Sequence, residues 1–211
     1  MENSLLKAAL EQKILPAVTF SSASEALAVA EALLKGGLHV LEVTFRTGAA
    51  AESIRIIRKN LPEMYIGAGT LLSAEQVIQA MDAGAQFGLA PGLNSTICKN
   101  AIKNHFPFVP GVMTPSEIEL ANEMGFKILK LFPAAQWDGA RFLKALQDPY
   151  QQLEIQFIPM GGVTINNMYE YLQLKNVIAV GGSWLASADL INAKQFNKIT
   201  EQVKEALLRT K

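Results

Sequence analysis

Eight times along this chain, a short apolar run rich in strand-forming residues is followed by a segment with helical spacing. The runs cover residues 14–20, 40–45, 65–70, 87–91, 108–112, 128–133, 157–161 and 177–180. The segments after them, 21–35, 49–59, 73–84, 95–104, 115–125, 139–146, 166–174 and 193–208, repeat Ala, Leu, Ile and Val at helical intervals. Stop and start signals agree: Gly36-Gly37 and Gly84 end two segments, Ser73-Ala-Glu-Gln76 has the form of a capping box, and Pro115 sits at a first helical turn. Strands alternating with helices demand a parallel sheet with helices packed on it. Eight units is the number that closes, so the pattern predicts an α/β fold of the (β/α)8 TIM-barrel type. A doubly wound open sheet is the alternative. Residues 1–13, MENSLLKAALEQK, read as an extra N-terminal amphipathic helix and not as a signal peptide.

The chain has 211 residues, half of them apolar, and no linker or low-complexity tract, so one domain over 1–211 is expected. Lys+Arg and Asp+Glu number 19 each. That balance gives no global field to recruit nucleic acid or an anionic membrane, and no apolar run is long enough to span a bilayer. The single cysteine, Cys98, forms no internal disulfide and fits a reducing, cytoplasmic compartment. It falls inside a helix and reads as packing. His39 and His105 have no further ligand at metal spacing, so no metal site is predicted.

One strand is chemically odd. In residues 128–133 a lysine interrupts an apolar run, and alternation puts Ile128, Lys130 and Phe132 on one face. Burial disfavours an ammonium ion, which is how a lysine becomes a nucleophile near neutral pH. A lysine snorkelling to water at a strand end is the bland alternative. In the second strand, Glu42, Thr44 and Arg46 share a face opposite Leu41, Val43 and Phe45. Two charges there mean proton chemistry or a self-contained Glu42–Arg46 ion pair. The third strand ends Gly67-Ala-Gly-Thr70, offering close backbone approach and a hydroxyl, and Pro91-Gly92 follows the fourth. Gly161-Gly162 and Gly181-Gly182-Ser183 close the last two strands. Barrels that bind phosphate hold it in those two loops, on bare backbone N–H groups.

Assembled, LEVTFRT at 41–47, GAGT at 67–70, PG at 91–92, LKLFPA at 129–134, GGV at 161–163 and VGGSW at 180–184 resemble the bacterial 2-keto-3-deoxy-6-phosphogluconate (KDPG) aldolases. This bifunctional family is also called the 4-hydroxy-2-oxoglutarate (KHG) aldolases. The resemblance covers nearly the whole chain. It implies that Lys130 forms a Schiff base with a 2-oxo acid and that Glu42 handles protons. It implies further that Arg46 and Thr70 hold the substrate carboxylate, and that Gly161, Gly162, Gly182 and Ser183 receive the phosphate. Pro91, Phe132 and Met160 are the remaining substrate-facing positions. The implied products are pyruvate and glyceraldehyde 3-phosphate, with no cofactor and a homotrimeric assembly. One departure stands out: Met160 occupies the threonine position of the family's PTGG, which points to an altered choice of C4 epimer or chain length. A barrel that binds phosphosugars without aldol chemistry is the competing function.

Overall fold

The computed structural model describes residues 4–210. Nine strands run through it: β1 Ile14–Val18, β2 Val40–Thr44, β3 Tyr65–Gly69, β4 Phe87–Leu89, β5 Phe108–Val109, β6 Gly111–Val112, β7 Ile128–Leu131, β8 Gln156–Pro159 and β9 Val180–Gly182. Between and around them lie α1 Ser4–Ala9, α2 Ala26–Gly36, α3 Ala50–Asn60, α4 Ala74–Asp82, α5 Ser95–Lys103, α6 Pro115–Glu123, α7 Gly139–Ala145, α8 Gln147–Tyr150, α9 Met168–Leu172, α10 Ala188–Asn192 and α11 Phe196–Leu208.

The architecture is α/β, with every strand pair parallel. Six strands form a curled sheet in the order β5-β4-β3-β2-β1-β9, and β6-β7-β8 form a second sheet. Eight strands in one closed ring were expected, and the hydrogen bonding departs from that at two joints. Pro110 separates β5 from β6, and a proline has no N–H for a ladder. Val177 makes a single bridge to Phe157 of β8 before the chain crosses to pair β9 with β1. The strand expected at 177–180 is therefore displaced to Val180–Gly182.

Burial explains why these runs became strands. All five residues of β2 and all four of β7 are buried, as a parallel sheet covered on both faces requires, by helices outside and by the facing strands inside. The helices start and stop where local chemistry directs. Thr114 and Glu117 form a reciprocal capping box around Pro115, and Asn94 caps α5 through two backbone N–H groups. Gly37, at φ +98°, ends α2 in the left-handed conformation that a side chain resists. Several expected helices are trimmed at an end. The expected 1–13 helix is Ser4–Ala9 within the described residues. Asn167 accepts from the Thr164 N–H, delaying α9 to Met168. The helix expected at 139–146 ends at Ala145, with α8 and a 3-10 turn following it, and the helix expected at 193–208 begins at Phe196, with α10 an added element before Lys194, at φ +53°. Among the described residues, no helix is long and apolar enough to cross a membrane.

Candidate active site

Strand register decides which side chains meet. Glu42 lies opposite Ala17 and Gly67, and Thr44 lies opposite Gly69. In the other sheet, Lys130 lies opposite Gly111 and Ile158. The two faces turn toward each other, and Lys130 Nζ sits 3.7 Å from Glu42 Oε1. Their side chains are 6% and 1% exposed. Among the described residues, neither oxygen of Glu42 has a hydrogen-bond partner. Lys130 Nζ also lies 5.2 Å from the Phe132 ring centroid, within cation–π range. A lysine snorkelling to water is thereby excluded.

The remaining candidates fall into two groups around this pair. On the β2–β3 side, Thr70 follows β3 in the left-handed conformation, at φ +56°, and is half-buried. Arg46 is not on β2 at all. The strand ends at Thr44, and Arg46 stands exposed in the turn beyond. It lines a cavity of about 330 Å³ together with Thr47, Gln76 and Gln79. The Glu42–Arg46 ion pair allowed by the sequence is replaced by the Glu42–Lys130 pair. Alternation misled here because it was carried past the strand's last residue. Pro91 packs its carbonyl over Gly111 of β6.

On the β8–β9 side, Gly161 and Gly162 take φ +87° and +78°, values that favour glycine. The space beside Gly161 is filled by the Phe132 ring, which ties this loop to the lysine strand. Carbonyls of Met160 and Gly161 accept from Ala134 and Ala135, and that of Gly162 accepts from the Asn167 side chain. The N–H groups of Gly161 and Gly162 find no protein acceptor among the described residues. Ser183 is exposed just beyond β9, and Gly182 packs under the Trp184 ring. Met160 is buried, and its side chain fills the space over Gly181, which pairs with Leu15 on the face of Ala17 and Glu42, so it shares the inner face with the Lys130–Glu42 pair.

Two hydroxyls escaped nomination. Thr44 Oγ1 lies 2.7 Å from Thr19 Oγ1, one step along the strands from Glu42. Thr44 was visible as a face-mate of Glu42, while Thr19 is hidden in the apolar run ILPAVTF. Cys98 is buried in α5, and burial pushes its thiol up to about 11. A separate cavity of about 230 Å³, lined by Gln147, Gln156 and Asn176, opens at the start of β8, the end away from Met160.

An amine and a carboxylate, buried together on facing parallel strands, can attack a carbonyl and relay the protons that follow. Fold and pair are those of an amine-dependent carbonyl enzyme. A family model described as KDPG and KHG aldolase matches residues 5–202. A 2-dehydro-3-deoxy-phosphogluconate aldolase of Haemophilus influenzae is 43% identical over 93% of this chain and 92% of its own length. The KHG/KDPG aldolase of Escherichia coli is 40% identical over 92% and 90%. Among solved structures, the KDPG aldolase of Legionella pneumophila, with pyruvate captured as a covalent carbinolamine, superposes with TM-score 0.90 at 35% identity, covering 94% of this chain and 96% of that one. The Zymomonas mobilis ZM4 enzyme with 3-phosphoglycerate gives TM-score 0.89 at 33% identity, covering 98% and 96%. This chain belongs to the KDPG and KHG aldolase family, and it is a carbon–carbon lyase.

Proposed function

We propose that the chain cleaves 2-keto-3-deoxy-6-phosphogluconate to pyruvate and glyceraldehyde 3-phosphate through an imine on Lys130, and 4-hydroxy-2-oxoglutarate to pyruvate and glyoxylate by the same steps. The observation that carries this reading is the buried Lys130 Nζ at 3.7 Å from an otherwise unpartnered Glu42. Lys130 passes a proton to Glu42, and the free amine attacks C2 of the 2-oxo acid, a proton moving from nitrogen to oxygen to give the carbinolamine. Glu42 donates a proton to the carbinolamine hydroxyl, which leaves as water, and the lone pair on nitrogen forms the protonated imine. Glu42, now a carboxylate, takes the C4 hydroxyl proton. The C3–C4 electron pair moves toward the cationic imine, releasing the aldehyde and leaving an enamine. A proton returns to C3, and water frees pyruvate. The imine is itself the electron sink, so the sequence of steps needs no metal or organic cofactor.

The other groups bind. Arg46 and Thr70, at the ends of β2 and β3, hold the substrate carboxylate, Arg46 through its bidentate fork. The Phe132 ring covers the lysine, and Pro91 stiffens the rim. The free N–H groups of Gly161 and Gly162, with Gly182 and Ser183, hold the phosphate. The carbinolamine in the Legionella enzyme and the 3-phosphoglycerate in the Zymomonas enzyme support both halves of this assignment. We read the two sheets as one (β/α)8 barrel domain over 1–211. Pro110 alone parts β5 from β6, and the Phe157–Val177 bridge leads from β8 toward β9 and β1. A homotrimer in the cytoplasm follows from the family resemblance and the lone free cysteine.

The test is covalent trapping. Pyruvate with borohydride should add one reduced adduct, and peptide mapping should place it on Lys130. Labelling of another lysine, or cleavage surviving in Lys130→Met, refutes the mechanism.

A further inference from the structure

Several glycines share the face that carries Glu42 and Lys130. Gly67 and Gly69 stand opposite Glu42 and Thr44, and Gly111 stands opposite Lys130. A strand glycine weakens its strand, so each needs a reason. For Gly69 the backbone supplies none, because its φ lies outside the left-handed region. Space does supply one. A Cβ built at Gly69 would overlap Oε1 and Cδ of Glu42 and lie 2.5 Å from its Cγ. The carboxylate occupies the volume that any side chain at position 69 would fill. Gly67 is different: its vacant side-chain volume holds the Phe87 ring, with Cζ 2.5 Å from the built Cβ.

Hydrogen bonds do not fix the Glu42 carboxylate, since neither oxygen has a partner among the described residues. The oxygen that occupies the volume over Gly69, Oε1, is the one that lies 3.7 Å from Lys130 Nζ. We propose that Gly69 is a positioning residue of the catalytic pair: the missing side chain seats the Glu42 carboxylate against Lys130. This rests on the reading of Glu42 as the proton-handling group. A methyl at position 69 turns the carboxylate out of that space and away from the amine. Misplacing a reacting group by about 1 Å can cost about 10²-fold. The loss falls on kcat, because the groups assigned to the carboxylate and the phosphate stand elsewhere, and KM stays close to that of the wild type.

The test is a double-mutant cycle on Gly69→Ala and Glu42→Ala, read as kcat, KM and the pH profile of cleavage. Gly69→Ala should lower kcat about 10²-fold in the wild type and shift its pH profile, yet cost under about threefold in Glu42→Ala, where no carboxylate remains to displace. Equal losses in both backgrounds would mean general damage to the strand and overturn the proposal. A loss in Glu42→Ala with none in Gly69→Ala overturns this proposal alone. Full activity in Glu42→Ala overturns the proton-handling reading and this proposal with it. If Gly69→Ala does not fold, Gly69→Ala/Glu42→Ala should, because the vacated carboxylate volume accepts the methyl. Failure of both variants to fold refutes the idea.

Discussion

Removing one member of the Lys130–Glu42 pair should destabilise the protein, and removing both should restore it. At 3.7 Å and an effective dielectric constant near 20, the Coulomb attraction is about 4–5 kcal/mol. Against it stands the desolvation of two ions in side chains only 6% and 1% exposed, several kcal/mol each. Hydrogen bonds usually recover part of that cost, but neither Glu42 oxygen has one among the described residues. The pair therefore contributes little net stability while each member depends on the other. Lys130→Met leaves a buried carboxylate with no counter-charge, for a loss of about 3–5 kcal/mol. At roughly 2–4 °C per kcal/mol for a chain of this size, the melting temperature falls by roughly 6–20 °C. Glu42→Leu should fall similarly, and Lys130→Met/Glu42→Leu should return to the wild-type value or exceed it by about 1–4 kcal/mol. The assay is denaturant unfolding of all four proteins at one concentration and pH. A Lys130→Met protein within about 1 kcal/mol of wild type would refute the reasoning, as would a double variant less stable than either single one.

Met160→Thr adds a donor on the inner face shared with Lys130 and should change the ratio of kcat/KM between C4 epimers by about two- to tenfold, the worth of one hydrogen bond. An unchanged ratio makes Met160 packing alone. Ser183→Asp sets a negative charge in the proposed phosphate loop and should raise KM for phosphorylated substrates far more than for 4-hydroxy-2-oxoglutarate. Equal losses would put the phosphate elsewhere. The Cys98 thiol, raised by burial from 9.0 to about 11, should resist iodoacetamide at pH 8 until the protein unfolds, and rapid alkylation of native protein would contradict this. Because the folded state favours the neutral thiol, its contribution is fully present below about pH 9 and is lost as pH rises toward 11, so Cys98→Ala should flatten that part of the stability curve.

Where the sequence was readable, the reason is local. The strands Val40–Thr44 and Ile128–Leu131 are short buried runs, mostly apolar and each broken by one charge, and the Thr114–Pro115–Glu117 start needs only neighbours in the chain. What failed depends on distance or on brevity. Helix α10 is five residues held by a Ser187 cap, too short to show a period. The apolar run at 177–180 marks the approach to the last strand, whose ladder lies in the glycines that follow. Lys130 and Glu42 each stood out as a charge on an apolar strand. Their contact crosses two sheets separated by 88 positions in sequence, and no spacing rule brings such residues together. The face shared by Glu42 and Thr44 does not extend to Arg46, since alternation holds only while the chain stays extended and β2 ends at Thr44.

The glycines on the inner face make room for larger inward neighbours. Read from sequence, Gly67 and Gly69 offer a ligand close approach to backbone. In the structure each offers that approach to a neighbouring side chain: Gly67 to Phe87, Gly69 to Glu42, and Gly181 to Met160, whose Cε would lie 2.6 Å from a Cβ there. Interiors at this density leave no unassigned space, so a large inward residue on one strand requires a small one beside it. The space for substrate must then lie beyond these filled layers, toward the strand ends where Phe132, Thr70 and the Gly161–Gly162 turn stand. Glu42 belongs to both regions. Its stem is core packing against Gly69, and its carboxylate faces Lys130. A substitution that repacks this layer should therefore change activity before it changes the fold, because the carboxylate moves with the packing that seats it.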